Sequence, residues 1–107
     1  MTYATALTAL ADPTRRLLYE RIRRRPHTVG ELAKLAEVSQ PAVSQHLRVL
    51  DGAKLVTHRR EGTRRYYSAR PDGLAELRRY VESLWDDVLE AYARGETDPR
   101  STRRKHG

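Results

Sequence analysis

Two helix-start signals, at Thr28 and Ser39, constrain this chain more than any other feature. Thr28-Val29-Gly30-Glu31 has the spacing of a capping box, in which the threonine hydroxyl accepts a backbone N–H three residues on and the glutamate reaches back. Ser39-Gln40-Pro41 repeats the signal, a serine cap with a proline in the first turn, where a missing N–H does no harm. After the first cap, Leu32, Ala33 and Ala36 recur at helical spacing; after the second, Val43, Leu47 and Leu50 stand at i, i+4 and i+7. The pattern predicts a helix over 29–36, a tight connection at Glu37-Val38-Ser39, and a second helix from Gln40 to about Gly52 or Ala53. Two short helices joined so closely make a helix-turn-helix candidate.

With Val43, Leu47 and Leu50 turned inward, a rotation of about 100° per residue sets Pro41, Gln45 and Arg48 on the opposite side. Ala42, Ser44 and Val49 flank them, and Gln40 stands in the first turn. Glutamine can pair bidentately with adenine, arginine with guanine, and serine with base edges or phosphate. Ser39, Gln40, Pro41, Ser44, Gln45 and Arg48 are therefore the candidate DNA-reading residues. Any solvated helix face also carries Gln, Ser and Arg, so this helix alone does not decide. His46 lies beside the apolar stripe without Cys, His or carboxylate at metal-ligand spacing, and is read as structural.

The flanking segments extend the pattern. Residues 4–11 form a short first helix with Ala6, Leu7 and Leu10 on one face. Asp12-Pro13 supplies a cap and a first-position proline for a second helix to about Arg25, burying Leu17, Leu18 and Ile22, and Pro26 stops it. The β-prone runs 55–60 and 63–68, joined by Glu61-Gly62, predict a hairpin. Arg59, Arg60, Arg64 and Arg65 crowd its tip, where Glu61 is the only acid, and like charges across strands are unfavourable unless something anionic neutralises them. These four are the candidate wing contacts to DNA; the plainer alternative is an edge hairpin kept from aggregating by its charge.

Beyond Arg70-Pro71 a long helix is expected over 72–94. Leu74, Leu77, Val81, Leu84 and Val88 step along it by three and four residues, and Trp85, Leu89 and Tyr92 widen the stripe. Such a face either packs wholly within the monomer or pairs with a second copy. The favoured expectation is a homodimer using Leu7, Leu10, Leu77, Val81, Leu84, Trp85 and Val88. Together the elements predict a mainly α fold of about five helices with a β-hairpin wing, occupying 1–95. The remainder, 96–107, is a polar, basic tail expected to be disordered.

At 107 residues there is one domain's worth of chain and no room for a separate catalytic module. The net charge of +7 is unevenly spread. Residues 1–71 carry 14 basic and 6 acidic side chains, 72–98 carry 3 and 8, and 99–107 carry 4 and none. A basic body beside an acidic helix implies a polyanion that meets one side only. Cysteine is absent, which excludes disulfides, thiolate metal sites and thiol redox switching. No nucleophile–base pair, metal cluster or Gly-rich phosphate loop appears, so neither an enzyme nor a cofactor is expected. The apolar stretches are too short to span a membrane, leaving a soluble cytoplasmic protein as the expectation. Non-specific nucleic-acid binding and a pure protein-interaction role are the competing functions.

Three runs carry a family resemblance: Leu10-Ala11-Asp12-Pro13-Thr14-Arg15-Arg16, the stretch Ser39 to Leu50, and Arg60-Glu61-Gly62-Thr63-Arg64-Arg65-Tyr66-Tyr67. In this order and spacing the chain, across 5–92, resembles the ArsR family of bacterial winged-helix repressors. The resemblance implies homodimers that bind double-stranded operator DNA and block transcription until an effector releases them. Two departures stand out. Metal-sensing members often carry Cys-x-Cys on the helix matching 29–36, or Asp/His pairs on the terminal helix. Here the first reads Val29-Gly30-Glu31-Leu32-Ala33-Lys34-Leu35, and the second offers Asp86, Asp87 and Glu90 without a histidine. His27, His46, His58 and His106 are scattered, so no metal is expected and the effector is unassigned. The family also usually has glycine after the recognition helix where this chain has Lys54, which predicts strain if Lys54 takes a positive φ.

Overall fold

The computed structural model describes residues 3–96, which fall into two compact units dividing after Leu77. The tail expected to be disordered lies, past Glu96, outside the described residues. The elements run α1 (Tyr3–Ala11), α2 (Pro13–Ile22), β1 (His27–Thr28), α3 (Val29–Ala36), α4 (Gln40–Gly52), β2 (Val56–Glu61), β3 (Arg64–Ala69) and α5 (Pro71–Ala93). Among the described residues no helix is long and apolar enough to cross a membrane.

The caps form as the sequence dictates. The Asp12 carboxylate accepts the Arg15 N–H at 3.0 Å, and Pro13 opens α2. Thr28 and Glu31 complete a reciprocal capping box, at 3.2 Å and 2.9 Å. The Ser39 hydroxyl accepts the Ala42 N–H at 3.2 Å. Inside the first unit, Leu18, Ile22, Leu32, Val43, Leu47, Leu50, Leu55 and Val56 are fully buried, each contributing about 1.5–3 kcal/mol by leaving water. Leu10, Ala33, Ala36, Val38 and Leu77 pack around them.

Four details differ from the expectation. Ala6 and Ala9, rather than Leu7, bury the inner face of α1, because small side chains let that helix approach closely; Leu7 is 49% exposed. On α2, Tyr19 joins Leu18 and Ile22 in the core while Leu17 is half-buried. The hairpin turns at Gly62-Thr63, with Glu61 opposite Arg64. Gly62 has φ +63 and Thr63 does not share the positive φ, the pattern of a type II′ turn with glycine first. Finally, His27-Thr28 forms a short strand that the sequence reading missed. It pairs antiparallel with β3 (His27↔Tyr67, Thr28↔Tyr66), giving a three-stranded sheet in the order β1-β3-β2.

Lys54 has φ 61, as its place after α4 predicts. The Leu55 N–H donates to the Leu50 carbonyl at 3.0 Å and the Lys54 N–H to that of Asp51 at 2.9 Å. This is a Schellman ending, with the buried pair Leu50 and Leu55 as its apolar contact. The start of α5 is threaded through the same spot. The Gly73 N–H donates to the Lys54 carbonyl at 3.0 Å, and a Cβ on Gly73 would stand 2.3 Å from the Ala53 carbonyl oxygen. Two substitutions at this junction should have opposite signs. Lys54→Gly should stabilise by about 0.5–1 kcal/mol, strain relief outweighing the glycine entropy cost. Gly73→Ala should destabilise by about 1–3 kcal/mol through the clash. Thermal melts at one fixed protein concentration read both; a fall for Lys54→Gly would mean that its left-handed geometry carries no strain.

Candidate nucleic-acid interface

Burial of Val43, Leu47 and Leu50 fixes the rotation of α4 about its own axis. Pro41, Gln45 and Arg48 consequently stand exposed on its far side, with Val49 beside them at 43% exposure. Arg48 has no ion pair among the described residues. Ser39 is exposed but its oxygen is occupied by the cap, so its free chemistry is the O–H donor. Gln40 and Ser44 face a different way from Gln45. They line a groove of about 800 Å³ between α3, the first turns of α4 and the hairpin.

The opposite flank of α4 meets α2, where His46 Nδ1 lies 4.0 Å from the Asp12 carboxylate. That carboxylate is held below its usual range, chiefly by the Arg15 backbone N–H and also by the charges of Arg15 and His46. At the other end, Asp51 sits 3.8 Å from His58 on β2. α4 thus meets a neighbour on each side. A carboxylate near His46 was not foreseen, since Asp12 is distant in sequence. Among the described residues no three His, Cys, Asp or Glu side chains gather as a metal site.

The hairpin separates four arginines that sequence treats alike. Strand alternation puts Arg60 and Arg65 on the sheet face that also carries the buried Val56 and Tyr67, so they point toward the α3–α4 groove. They stand directly opposite each other across the strands. Arg59 lies on the reverse face, bonded to Glu61 at 2.7 Å and packed over the Tyr66 ring at 5.4 Å. Arg64, opposite Glu61 next to the turn, also borders the groove. Arg60, Arg64 and Arg65 have no ion pair among the described residues, whereas Arg59 is already satisfied. Lys34, Thr28 and Thr63 complete the polar lining, and the sequence reading missed all three. The one acid there, Glu31, has its carboxyl held low chiefly by the Thr28 N–H of the capping box and also by the charges of Arg25, His27 and Arg64. The groove is cationic, and Lys34, Arg60 and Arg65 have no ion pair among the described residues.

A helix-turn-helix domain family model matches residues 10–59, spanning both helices of this arrangement and the start of the hairpin. Over 85 residues the chain is 53% identical to the HTH-type transcriptional regulator Rv2034 of Mycobacterium tuberculosis, covering 79% of each. Among solved structures it is similar to a possible transcriptional regulator for arsenical resistance, at 43% identity and TM-score 0.70, covering 86% of this chain and 96% of that one. It is also similar to a homodimeric winged helix-turn-helix DNA-binding domain from Mycobacterium bovis, a possible ArsR-family transcriptional regulator, at 28% identity and TM-score 0.63, covering 78% of each. The chain belongs to the ArsR family. As in that family's winged fold, this chain sets β2 and β3 beside a helix-turn-helix made of α3 and α4. It is a family of DNA-binding transcriptional regulators.

The wing geometry makes a prediction independent of any ligand. Removing Arg60 relieves a like-charge cross-strand pair, so Arg60→Thr should stabilise the free protein by about 0.2–1 kcal/mol at low salt. The gain should shrink as salt screens the pair. Arg59→Thr loses an exposed ion pair and a ring contact, and should be less stable than Arg60→Thr by about 0.5–1.5 kcal/mol. Using threonine at both sites cancels its strand preference. Equal melting temperatures for the two variants would mean that the arginines are not differently paired.

Proposed function

We propose that this chain is a cytoplasmic repressor that binds an inverted-repeat operator as a homodimer, with α4 reading bases and the wing holding the backbone. The observation that carries the reading is the division of labour around α4. Its outward face presents Gln45 and Arg48, and the groove beside it holds the cations Lys34, Arg60, Arg64 and Arg65. Glutamine and arginine suit adenine and guanine edges; unpaired guanidinium groups suit phosphates.

The homodimer rests on the second unit. Val81, Leu84, Trp85, Val88, Leu89 and Tyr92 are 44–70% exposed on consecutive turns of α5, more apolar surface than one small helix leaves bare without a partner. The similar Mycobacterium bovis domain is homodimeric, which favours a second copy as that partner. Leu7 adds exposed apolar surface on α1, whereas Leu10 and Leu77 are partly committed to the core of the first unit. A two-fold dimer offers paired reading helices, so half-sites about one helical turn (~10 bp) or a multiple apart are expected.

Replacing Gln45 or Arg48 by alanine should weaken operator binding by about 1–3 kcal/mol and leave random DNA nearly unaffected. Replacing Arg60 or Arg65 should weaken both, and lower the log–log salt slope by about one for each phosphate that the variant no longer neutralises. Arg59→Ala should change that slope least, because Glu61 already holds its guanidinium. Binding curves at several salt concentrations on operator and scrambled duplex measure all of this. Equal losses on both duplexes for the α4 variants would make the chain a non-specific binder. The dimer is checked separately: Leu84→Glu puts a charge into an apolar interface, at several kcal/mol, and should sediment as a monomer. A dimer that survives the change would put the interface elsewhere.

A further inference from the structure

The groove between α3, α4 and the wing has a size and a chemistry that a DNA backbone alone does not require. We propose that it is also a regulatory site, taking a small polyanion with closely spaced phosphoryl groups that competes with DNA. The inference rests on the DNA-binding reading of this face and supplies the class of effector that would act on it.

Three observations carry it. The first is shape: an open groove of about 800 Å³, large enough for a small molecule, on which side chains from three elements converge. The second is unspent charge. Lys34, Arg60 and Arg65 border the groove with no ion pair among the described residues, while Glu31, the one acid, is engaged by the backbone of Thr28 and shares the field of Arg64. Guanidinium groups in such a position make charge-assisted, bidentate bonds to phosphoryl oxygens. The third is the Arg60↔Arg65 pairing. Two cations held opposite each other on one face of a sheet repel, so an anion between them gains their attraction and relieves their repulsion together. Thr28, Thr63, Ser44 and Gln40 add uncharged polar groups, while Val29, Ala33 and Val38 supply an apolar floor. A duplex backbone spaces its charges along a rigid helix. A short polyphosphate concentrates several on one flexible body, which suits Lys34, Arg60 and Arg65 bordering a single groove. Because Gln40 and Ser44 of the reading helix line the same groove, a ligand seated there lies against α4 and excludes the DNA strand next to it.

The test uses the full chain and sodium tripolyphosphate, first without DNA. Calorimetry at fixed ionic strength should find saturable binding of one tripolyphosphate per chain. The Arg60→Ser, Arg65→Ser double variant should bind at least about tenfold more weakly, the loss of one charge-assisted hydrogen bond or more. Lys34→Ser should also lose affinity, while Arg48→Ser, altered outside the groove, should bind tripolyphosphate as the parent does. Melting curves confirm that each variant is folded. In the second arm, tripolyphosphate should release the protein from genomic DNA fragments at concentrations where chloride of equal ionic strength does not. Unchanged tripolyphosphate affinity in both the double variant and Lys34→Ser overturns the site. Release no better than matched chloride overturns the regulation. Failure of the parent to bind any DNA before tripolyphosphate is added would instead refute the underlying reading, and the calorimetry would still decide the site.

Discussion

The inward burial of Val43, Leu47 and Leu50 is the constraint on which the rest depends. It is an apolar contact, and yet it decides which polar side chains of α4 face outward. Rotating α4 by one residue would carry Gln45 and Arg48 about 100° around the axis and bury a polar side chain without partners. The orientation of α4 is thus secured by ordinary hydrophobic free energy, and Gln45 and Arg48 are left exposed. The flanking pairs, His46 with Asp12 and Asp51 with His58, are exposed enough to contribute little energy, but they tie the helix to α2 and to the base of the wing.

Around that helix, termination matters as much as packing. The Schellman ending at Lys54 turns the chain directly from α4 into β2, so the wing starts from a fixed point. Gly73 then lets α5 begin against the same carbonyls. Three elements therefore share one junction, and the wing's position relative to α4 is determined by backbone hydrogen bonds rather than by its own exposed side chains. At the other end of the first unit, Arg15 and Arg16 donate to the last carbonyls of α1, including those of Ala9 and Leu10 at 2.8 Å and 3.0 Å. Two of the chain's arginines are thereby structural, which overall charge could not reveal.

Local signals made most of the fold legible. Caps at Asp12, Thr28 and Ser39, prolines after two of them, and the i, i+4, i+7 stripe of α4 are interactions between residues near in sequence, and each formed as written. The misses were long-range. The two-residue strand at His27 exists because β3 offers it an edge, and no pattern two residues long announces a partner nearly forty positions away. Leu7 lost its inner place to Ala9 because closeness of approach, not hydrophobicity, decided which face of α1 turned inward. The candidate site followed the same rule. The outward residues of α4 were readable from one helix wheel, while the groove needed α3 and β3 brought together. The difference between Arg59 and Arg60 is one of strand parity, invisible until the turn is fixed at Gly62-Thr63.

The ending of α3 has a consequence of another kind. Glu37 takes φ 55 and ψ 43, a left-handed conformation that costs a non-glycine residue about 1–2 kcal/mol. Both glutamate codons differ from a glycine codon by a single nucleotide, so relief of that strain is one mutational step away. Most substitutions destabilise, and changes on the outward face of α4 are no exception in kind. A chain with an unused increment of stability one step from its present sequence can absorb such a change and recover the loss at another position. The strain in the turn between the two helices is, in this sense, a reserve for changing the exposed face of the second helix.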